Sequence, residues 1–168
     1  MPLQWTLVPH LHMRSPNCLA FPIALLGLAA AGVKATLANA SYQPSELAHQ
    51  ITNSNAGLVF VHPALLDTLL KTFASLGLSD AVVQKRVVVM SYTSIEKAME
   101  RQLKVGSQWV RFEAFLKQGK LDKEEMFSGN DVHGSIMLCY SSGTTGLSKG
   151  VEVRSASTKT YASNLLAS

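Results

Sequence analysis

A run of small and hydroxyl-bearing residues near the carboxyl end of the chain has the chemistry to hold an anion. The nine positions of this run are Ser141, Ser142, Gly143, Thr144, Thr145, Gly146, Leu147, Ser148 and Lys149. Glycines expose backbone N–H groups and allow positive φ, the hydroxyls are further donors, and the lysine adds a compact cation. We therefore predict that this segment binds the phosphate groups of a nucleoside triphosphate.

The flanks of this run predict how it is positioned. Residues 136–140 form an apolar run before it, and residues 151–153 after it alternate apolar and charged side chains, as in a half-exposed strand. We therefore expect a loop between two strands. A run of Gly, Ser and Thr is also typical of a flexible linker, but the order of hydroxyls and glycines, the closing lysine and the flanking strands argue against a linker.

A Walker A phosphate loop is the competing interpretation of the same residues. That motif requires a glycine, four residues and then Gly-Lys-Ser/Thr, and it opens a helix. Counting from Gly143 puts Ser148 at the second glycine position, and Lys149 is followed by Gly150 instead of a hydroxyl residue. The spacing therefore excludes this motif.

Residues 141–150 resemble the phosphate loop of the AMP-forming adenylate superfamily, which includes acyl-CoA synthetases, coumarate-CoA ligases, luciferases and the adenylation domains of peptide synthetases. Ser15-Pro16-Asn17 and residues 24–27 and 37–39 are similar to the early part of the large domain in that family. Residues 42–47 are closer to coumarate-CoA and medium-chain acyl-CoA ligases than to peptide synthetase domains.

This resemblance implies a reaction and its ligands. A carboxylic acid would be joined to the α-phosphorus of ATP, and its acyl group would then pass to a thiol such as that of coenzyme A. Residues 141–149 would hold the β and γ phosphates while Mg²⁺ bridges phosphate oxygens. Thr144 and Thr145 are the expected hydroxyl contacts and Lys149 the charged one. We assign no catalytic residue and no protein ligand for a metal.

The resemblance also implies an incomplete domain, because it runs only from about Thr6 to Val153 of a family whose chains are much longer. The family's adenine-binding segment, ribose-binding aspartate, hinge and catalytic lysine have no counterpart. We predict a partial amino-terminal domain over residues 1–168, with a polar connector at 118–130 and a divergent tail at 154–168. The expected function is a fragment of an acid–thiol ligase that is inactive alone; the alternative is a non-catalytic nucleotide-binding or interaction module.

The order of elements predicts the fold class. Candidate strands and amphipathic helices alternate along the chain, which favours crossover connections and a largely parallel sheet. The predicted strands are residues 6–8, 33–37, 58–61 and 86–90, and the predicted helices end near residues 28, 53, 76, 103 and 116. We therefore expect an α/β fold with an incomplete, Rossmann-like sheet and flanking helices.

Composition and charge limit which other kinds of protein and site the chain could contain. The chain has 168 residues, 47% of them hydrophobic, which is enough for one domain with a core. Its net charge of +4 is scattered without a basic stripe, so nucleic acid binding is not indicated. Cys18 and Cys139 lie in apolar runs, where a buried free thiol is usual. His10 and His12 lack a third ligand, so a surface position or a satisfied strand position explains them better than a metal site.

The uncharged run from Cys18 to Val33 raises the question of a membrane. It is shorter than about 18 residues and contains Pro22 and two glycines, so we predict no membrane span. A secretory signal is the alternative, because Arg14 precedes the run and residues 29–31 are small alanines. The compartment stays open between the cytoplasm and the peroxisome.

Overall fold

A seven-stranded sheet forms the centre of the fold. The computed structural model describes residues 10–116, 133–141 and 148–154. The strands are β1 His10–Arg14, β2 Lys34–Ala38, β3 Leu58–Val61, β4 Val87–Val89, β5 Val110–Arg111, β6 Ser135–Ser141 and β7 Lys149–Arg154. Their order is β5-β4-β3-β1-β2-β6-β7, and every neighbouring pair is parallel except β6 and β7. The predicted α/β class with a largely parallel sheet is confirmed.

Six helices lie around this sheet within the described residues. They are α1 Ala20–Ala30, α2 Pro44–Asn53, α3 Leu66–Ser75, α4 Asp80–Arg86, α5 Ser94–Gln102 and α6 Phe112–Leu116, and a short 3₁₀ helix at Pro63–Leu65 precedes α3. One core contains buried side chains of α2, α3 and α4, and the opposite core contains those of α1 and α6. β3 is buried along its whole length. A strand covered on both faces explains the unbroken apolar run at this position.

Local signals at the helix ends match the predicted starts of α2 and α5. Pro44 is the first residue of α2, and the Glu46 carboxylate accepts a hydrogen bond from the backbone N–H of Gln43 at 2.9 Å. The carboxylate of Glu96 likewise accepts from the backbone N–H of Thr93 at 2.6 Å, which completes the predicted capping box. Each carboxylate satisfies an N–H group that the helix itself cannot use.

Four elements differ from the sequence prediction, and one of them is α4, which the sequence analysis did not predict. No strand was predicted at β1, because its histidines and its arginine hide the apolar alternation of Leu11 and Met13. The expected strand at 6–8 lies outside the described residues. Arg86 ends α4 instead of starting β4, since the short α4 runs directly into the valines of the strand. β5 has only two residues and takes its register from β4. The connector at 118–130 lies outside the described residues.

The apolar run from Cys18 to Val33 forms α1 and packs on the sheet through Ala20 and Ala24. The helix has 11 residues, which corresponds to about 16 Å, roughly half the thickness of a bilayer core. Within the described residues, no helix combines the length and the apolar character needed to cross a membrane.

β1 carries buried polar side chains at the centre of the sheet. Arg14 is fully buried and donates hydrogen bonds to the carbonyls of Leu65, Ala40 and Tyr42 at 3.2, 3.0 and 2.7 Å. These carbonyls belong to segments that follow β2 and β3, so one guanidinium connects the carboxyl ends of three neighbouring strands. His12 is fully buried in the same strand. Burial lowers the pKa of His12 to about 3, an effect that the charge of Arg14 increases and the Gln50 side chain opposes.

The pKa of His12 is far below its usual value in the folded protein but has that usual value in the unfolded chain. Acid should therefore destabilise the fold. The unfolded state takes up a proton below about pH 6.5 and the folded state only near pH 3. We therefore expect the free energy of unfolding to fall by about 2 kcal/mol from His12 alone between pH 7 and pH 5. Urea titrations across this range should show the loss, and it should be about 2 kcal/mol smaller in His12→Gln, where the loss from His62, whose pKa burial also lowers, remains. An equal loss in that variant would contradict the assignment.

Two glycines should respond oppositely to alanine. Gly77 ends α3 with φ at +70°, whereas Gly27 lies inside α1, and neither has an atom within 4 Å of the position of an added Cβ. We expect Gly77→Ala to destabilise by about 1 kcal/mol through backbone strain. Gly27→Ala should stabilise by about 0.5 to 1 kcal/mol because alanine is the better helix former. Thermal unfolding of both variants checks this, and the same sign of effect in both would refute it.

Candidate functional site

The predicted phosphate-binding segment follows β6, and β6 is positioned by β2. Met137 lies opposite Ala35, and Cys139 lies opposite Leu37, in parallel register. Ser141 therefore leaves the sheet at the carboxyl edge of its parallel strands. In open α/β sheets, ligands bind in crevices at this edge.

β6 and β7 form an antiparallel hairpin around the segment. Tyr140 lies opposite Gly150, and Ser141 lies opposite Lys149. The prediction of a segment between two strands is confirmed, and Lys149 begins a strand, not a helix, as the rejection of a Walker A motif requires. One detail differs: Lys149 and Gly150 already pair in the ladder, because antiparallel register with β6 extends β7 two residues earlier than the alternation of residues 151–153 indicated.

Three of the nine predicted site residues lie in the part of the chain that the structure describes. Ser141 and Lys149 face each other across the ladder and both are exposed, while Ser148 is half-buried. In the described ranges, no carboxylate forms a salt bridge with Lys149. The other six, Ser142, Gly143, Thr144, Thr145, Gly146 and Leu147, lie outside the described residues. The hairpin thus presents a hydroxyl and a cation side by side to solvent.

Tyr140 and Gly150 fit closely across the hairpin. A Cβ at Gly150 would lie 3.3 Å from Cζ of Tyr140, so only glycine lets the ring lie across the strand without displacement. The Tyr140 hydroxyl donates a hydrogen bond to Oδ1 of Asn53 at 2.6 Å. Burial raises the pKa of Tyr140, so the hydroxyl remains a donor at neutral pH.

Helix α2 reaches the other side of the hairpin through His49. Its Nε2 donates to the carbonyl oxygen of Ser148 at 3.0 Å. Sequence reasoning missed both His49 and Asn53, since each joins residues far apart in the chain. Their only sequence signal was a pair of polar residues four positions apart on α2, which is also typical of a solvent-facing helix surface.

The cysteines and histidines do not assemble a second reactive centre in the described ranges. Cys18 and Cys139 are free thiols, as predicted, but they are half-buried instead of buried. Burial raises the pKa of Cys139, which keeps the thiol protonated and weakly nucleophilic. His10 and His12 both lie in β1, and no group of three potential metal ligands occurs among the residues that the structure describes.

Sequence comparisons agree with the motif. The family described as AMP-binding enzyme matches residues 10–167. The chain is 33% identical over 139 residues to 4-coumarate--CoA ligase-like 8 of Arabidopsis thaliana, and 31% identical over 137 residues to Peroxisomal OPC-8:0-CoA ligase 1 of the same plant. Both alignments cover 82% of this chain but only 22% of the relative. The chain therefore spans about a fifth of the length of these curated relatives.

Solved structures show the same fold. The anthranilate CoA ligase AuaEII, in complex with anthranoyl-AMP, superposes with a TM-score of 0.68 at 18% identity, over 88% of this chain and 25% of that one. A luciferase-like enzyme from the mealworm Zophobas morio gives a TM-score of 0.67 at 18% identity, over 88% and 30%. With the family match over residues 10–167, these findings confirm the predicted resemblance: the chain belongs to the AMP-binding enzyme family, the AMP-forming adenylate-forming ligases.

Proposed function

We propose that this chain is the part of an AMP-forming acid–thiol ligase that carries the phosphate-binding hairpin. In this proposal residues 141–149 hold the β and γ phosphates of ATP, with Lys149 as the cation and Thr144 and Thr145 as hydroxyl donors. The observation that supports it most directly is the exposed pair of Ser141 and Lys149 at the carboxyl edge of the sheet. The two threonines are carried over from the sequence alone.

The chemistry of adenylation gives these groups a role. A carboxylate oxygen attacks the α-phosphorus of ATP, the bond to the bridging oxygen breaks, and pyrophosphate departs with that electron pair. Negative charge therefore builds up on the β-phosphate side during the reaction. A fixed ammonium and hydroxyl donors stabilise that charge more in the transition state than in the ground state, which lowers the barrier. The thiol of coenzyme A would then attack the carbonyl carbon of the acyl-adenylate, so that a thioester forms, the bond to the phosphate oxygen breaks, AMP leaves and the thiol proton is released.

Magnesium fits this arrangement as an ion held by the substrate. Mg²⁺ bound to ATP would neutralise part of the phosphate charge. The described part of the hairpin offers hydroxyls and an ammonium instead of a carboxylate cluster, so it suits the phosphate oxygens rather than the metal itself. The protein groups then orient the triphosphate while the ion accompanies it.

The acid substrate of the whole protein and the incompleteness of the site in this chain are two further proposals. The relatives named as coumarate-CoA ligase-like and OPC-8:0-CoA ligase support a small carboxylic acid as the substrate of the whole protein. Because the chain spans about a fifth of their length, we propose that this chain alone binds phosphate groups but does not complete adenylation.

Titration calorimetry with ATP and Mg²⁺ tests the hairpin. We expect binding by the 168-residue chain, and a roughly 10- to 100-fold weaker affinity in Lys149→Ala, the loss of one charge-assisted hydrogen bond. Lys85→Ala is the matched control, since Lys85 is exposed on α4, which precedes β4 in the half of the sheet away from the hairpin. It should bind within about twofold of wild type if the effect is local. Unchanged affinity in Lys149→Ala, or no binding by wild type, would refute the phosphate-binding role.

A pyrophosphate-release assay tests the incompleteness of the site. The chain, supplied with ATP, Mg²⁺, coenzyme A and a panel of aromatic and medium-chain carboxylic acids, should release no pyrophosphate above the background without protein. Added inorganic pyrophosphate serves as the positive control for detection. Release that depends on both the acid and Lys149 would show that the chain is a complete catalyst and that this part of the proposal is wrong.

A further inference from the structure

We infer that α2 is a brace that fixes the phosphate-binding hairpin, with His49 and Asn53 as its positioning residues. This inference rests on the proposed function for its consequence in binding, and on geometry for the brace itself. The two residues lie four positions apart on α2 and therefore project from neighbouring turns on one side of the helix. Each reaches a different strand end of the hairpin.

The two contacts hold the hairpin from both sides of the predicted loop. His49 Nε2 lies 3.0 Å from the carbonyl oxygen of Ser148, directly before Lys149. Oδ1 of Asn53 lies 2.6 Å from the hydroxyl of Tyr140, directly before Ser141. The contacts join residues 99 and 87 positions apart in the chain. Ser141 and Lys149 face each other at the base of the loop. The residue directly before each of them is held by a hydrogen bond to α2.

Helix α2 is itself anchored to the sheet by a different set of side chains. Leu47 and Ile51 are buried against the core, and Nε2 of Gln50 donates to the carbonyl of Leu37 in β2 at 2.8 Å. β2 in turn pairs with β6. His49 and Asn53 lie outside this buried stripe, so their contacts add little to the core. β2 therefore positions the hairpin in two ways, directly through its ladder with β6 and indirectly through α2.

A brace of this kind would raise affinity by pre-ordering the binding groups. Fixing the backbone of a binding site when a ligand binds costs conformational entropy, and this loss weakens the affinity. A hydrogen bond that already holds the backbone next to Lys149 removes part of that loss. His49 would therefore affect ATP binding without touching ATP.

Conservative and disruptive variants separate the brace from a general role in stability. Gln at position 49 can still present an N–H donor to the Ser148 carbonyl, and Asp at position 53 can still accept from the Tyr140 hydroxyl. Alanine can do neither. His10→Ala is the matched control, because His10 Nδ1 also contacts a backbone carbonyl, that of Ser54 at the end of α2, but on the side of β1.

Hydrogen exchange read by mass spectrometry tests the geometry without any ligand. Peptides covering residues 148–154 should exchange about three- to tenfold faster in His49→Ala and in Asn53→Ala than in wild type, since each loses one hydrogen bond at the hairpin. His49→Gln and Asn53→Asp should remain near the wild-type rate. His10→Ala should leave this region unchanged. A wild-type exchange rate in both alanine variants would overturn the inference.

ATP affinity then tests the consequence. We expect His49→Ala to weaken ATP binding about three- to tenfold, with a melting temperature close to that of His10→Ala, and His49→Gln to restore the affinity. The double variant with Lys149→Ala should lose less than the two single losses combined, because His49 acts through Lys149. If the two losses of ATP affinity simply add in the double variant, or if His49→Gln does not restore the affinity, the positioning role of His49 is overturned. If the alanine variants exchange faster than wild type but the wild-type chain binds no ATP, the brace is upheld and the proposed function is rejected.

Discussion

The parallel pairing of β6 with β2 is the constraint on which the functional arrangement depends. It joins Thr36 to Leu138 across about a hundred residues of chain, and it is the contact that brings the hairpin to the same edge as the segments following β1 and β3. Closing so long a loop costs conformational entropy, which the contacts of β6 and β7 must offset. The half-buried apolar side chains of β6, its ladder with β2 and the reach of α2 to the hairpin together hold it there.

Arg14 gives this edge a defined shape from inside the sheet. A buried guanidinium is costly unless its donors are used; here Nη1 and Nη2 donate to three carbonyls in the segments after β2 and β3, while Nε has no hydrogen-bond partner among the described residues. Burial lowers the pKa of Arg14, yet an arginine retains its proton at any physiological pH. The same strand that supplies the centre of the sheet therefore also fixes the segments that follow β2 and β3, while the apolar side chains of the two cores pack the helices against the sheet.

Elements with strong local signals could be predicted from the sequence, and those defined by distant partners could not. Leu58–Val61 is apolar throughout, and Thr93 with Glu96 specifies a helix start, so each was recognised within a few residues. β1 was missed because His12 and Arg14 are buried for reasons of tertiary contact, against their usual preference for the surface. The motif located the candidate hairpin, but the contacts of His49 and Asn53 depend on how α2 packs, which no periodicity in the sequence contains.

The antiparallel return of β7 explains why the segment has the composition it has. A loop that opens a helix can hold an anion with backbone N–H groups and the positive end of the helix dipole, and it then needs little more than glycines and one lysine. Here the chain continues as a strand, so β7 contributes no helix dipole at the loop. Under the proposed function, the positive charge and the hydrogen-bond donors come from side chains instead. The hydroxyls of residues 141–148, and the lysine that antiparallel register places opposite Ser141, are the composition that this function requires.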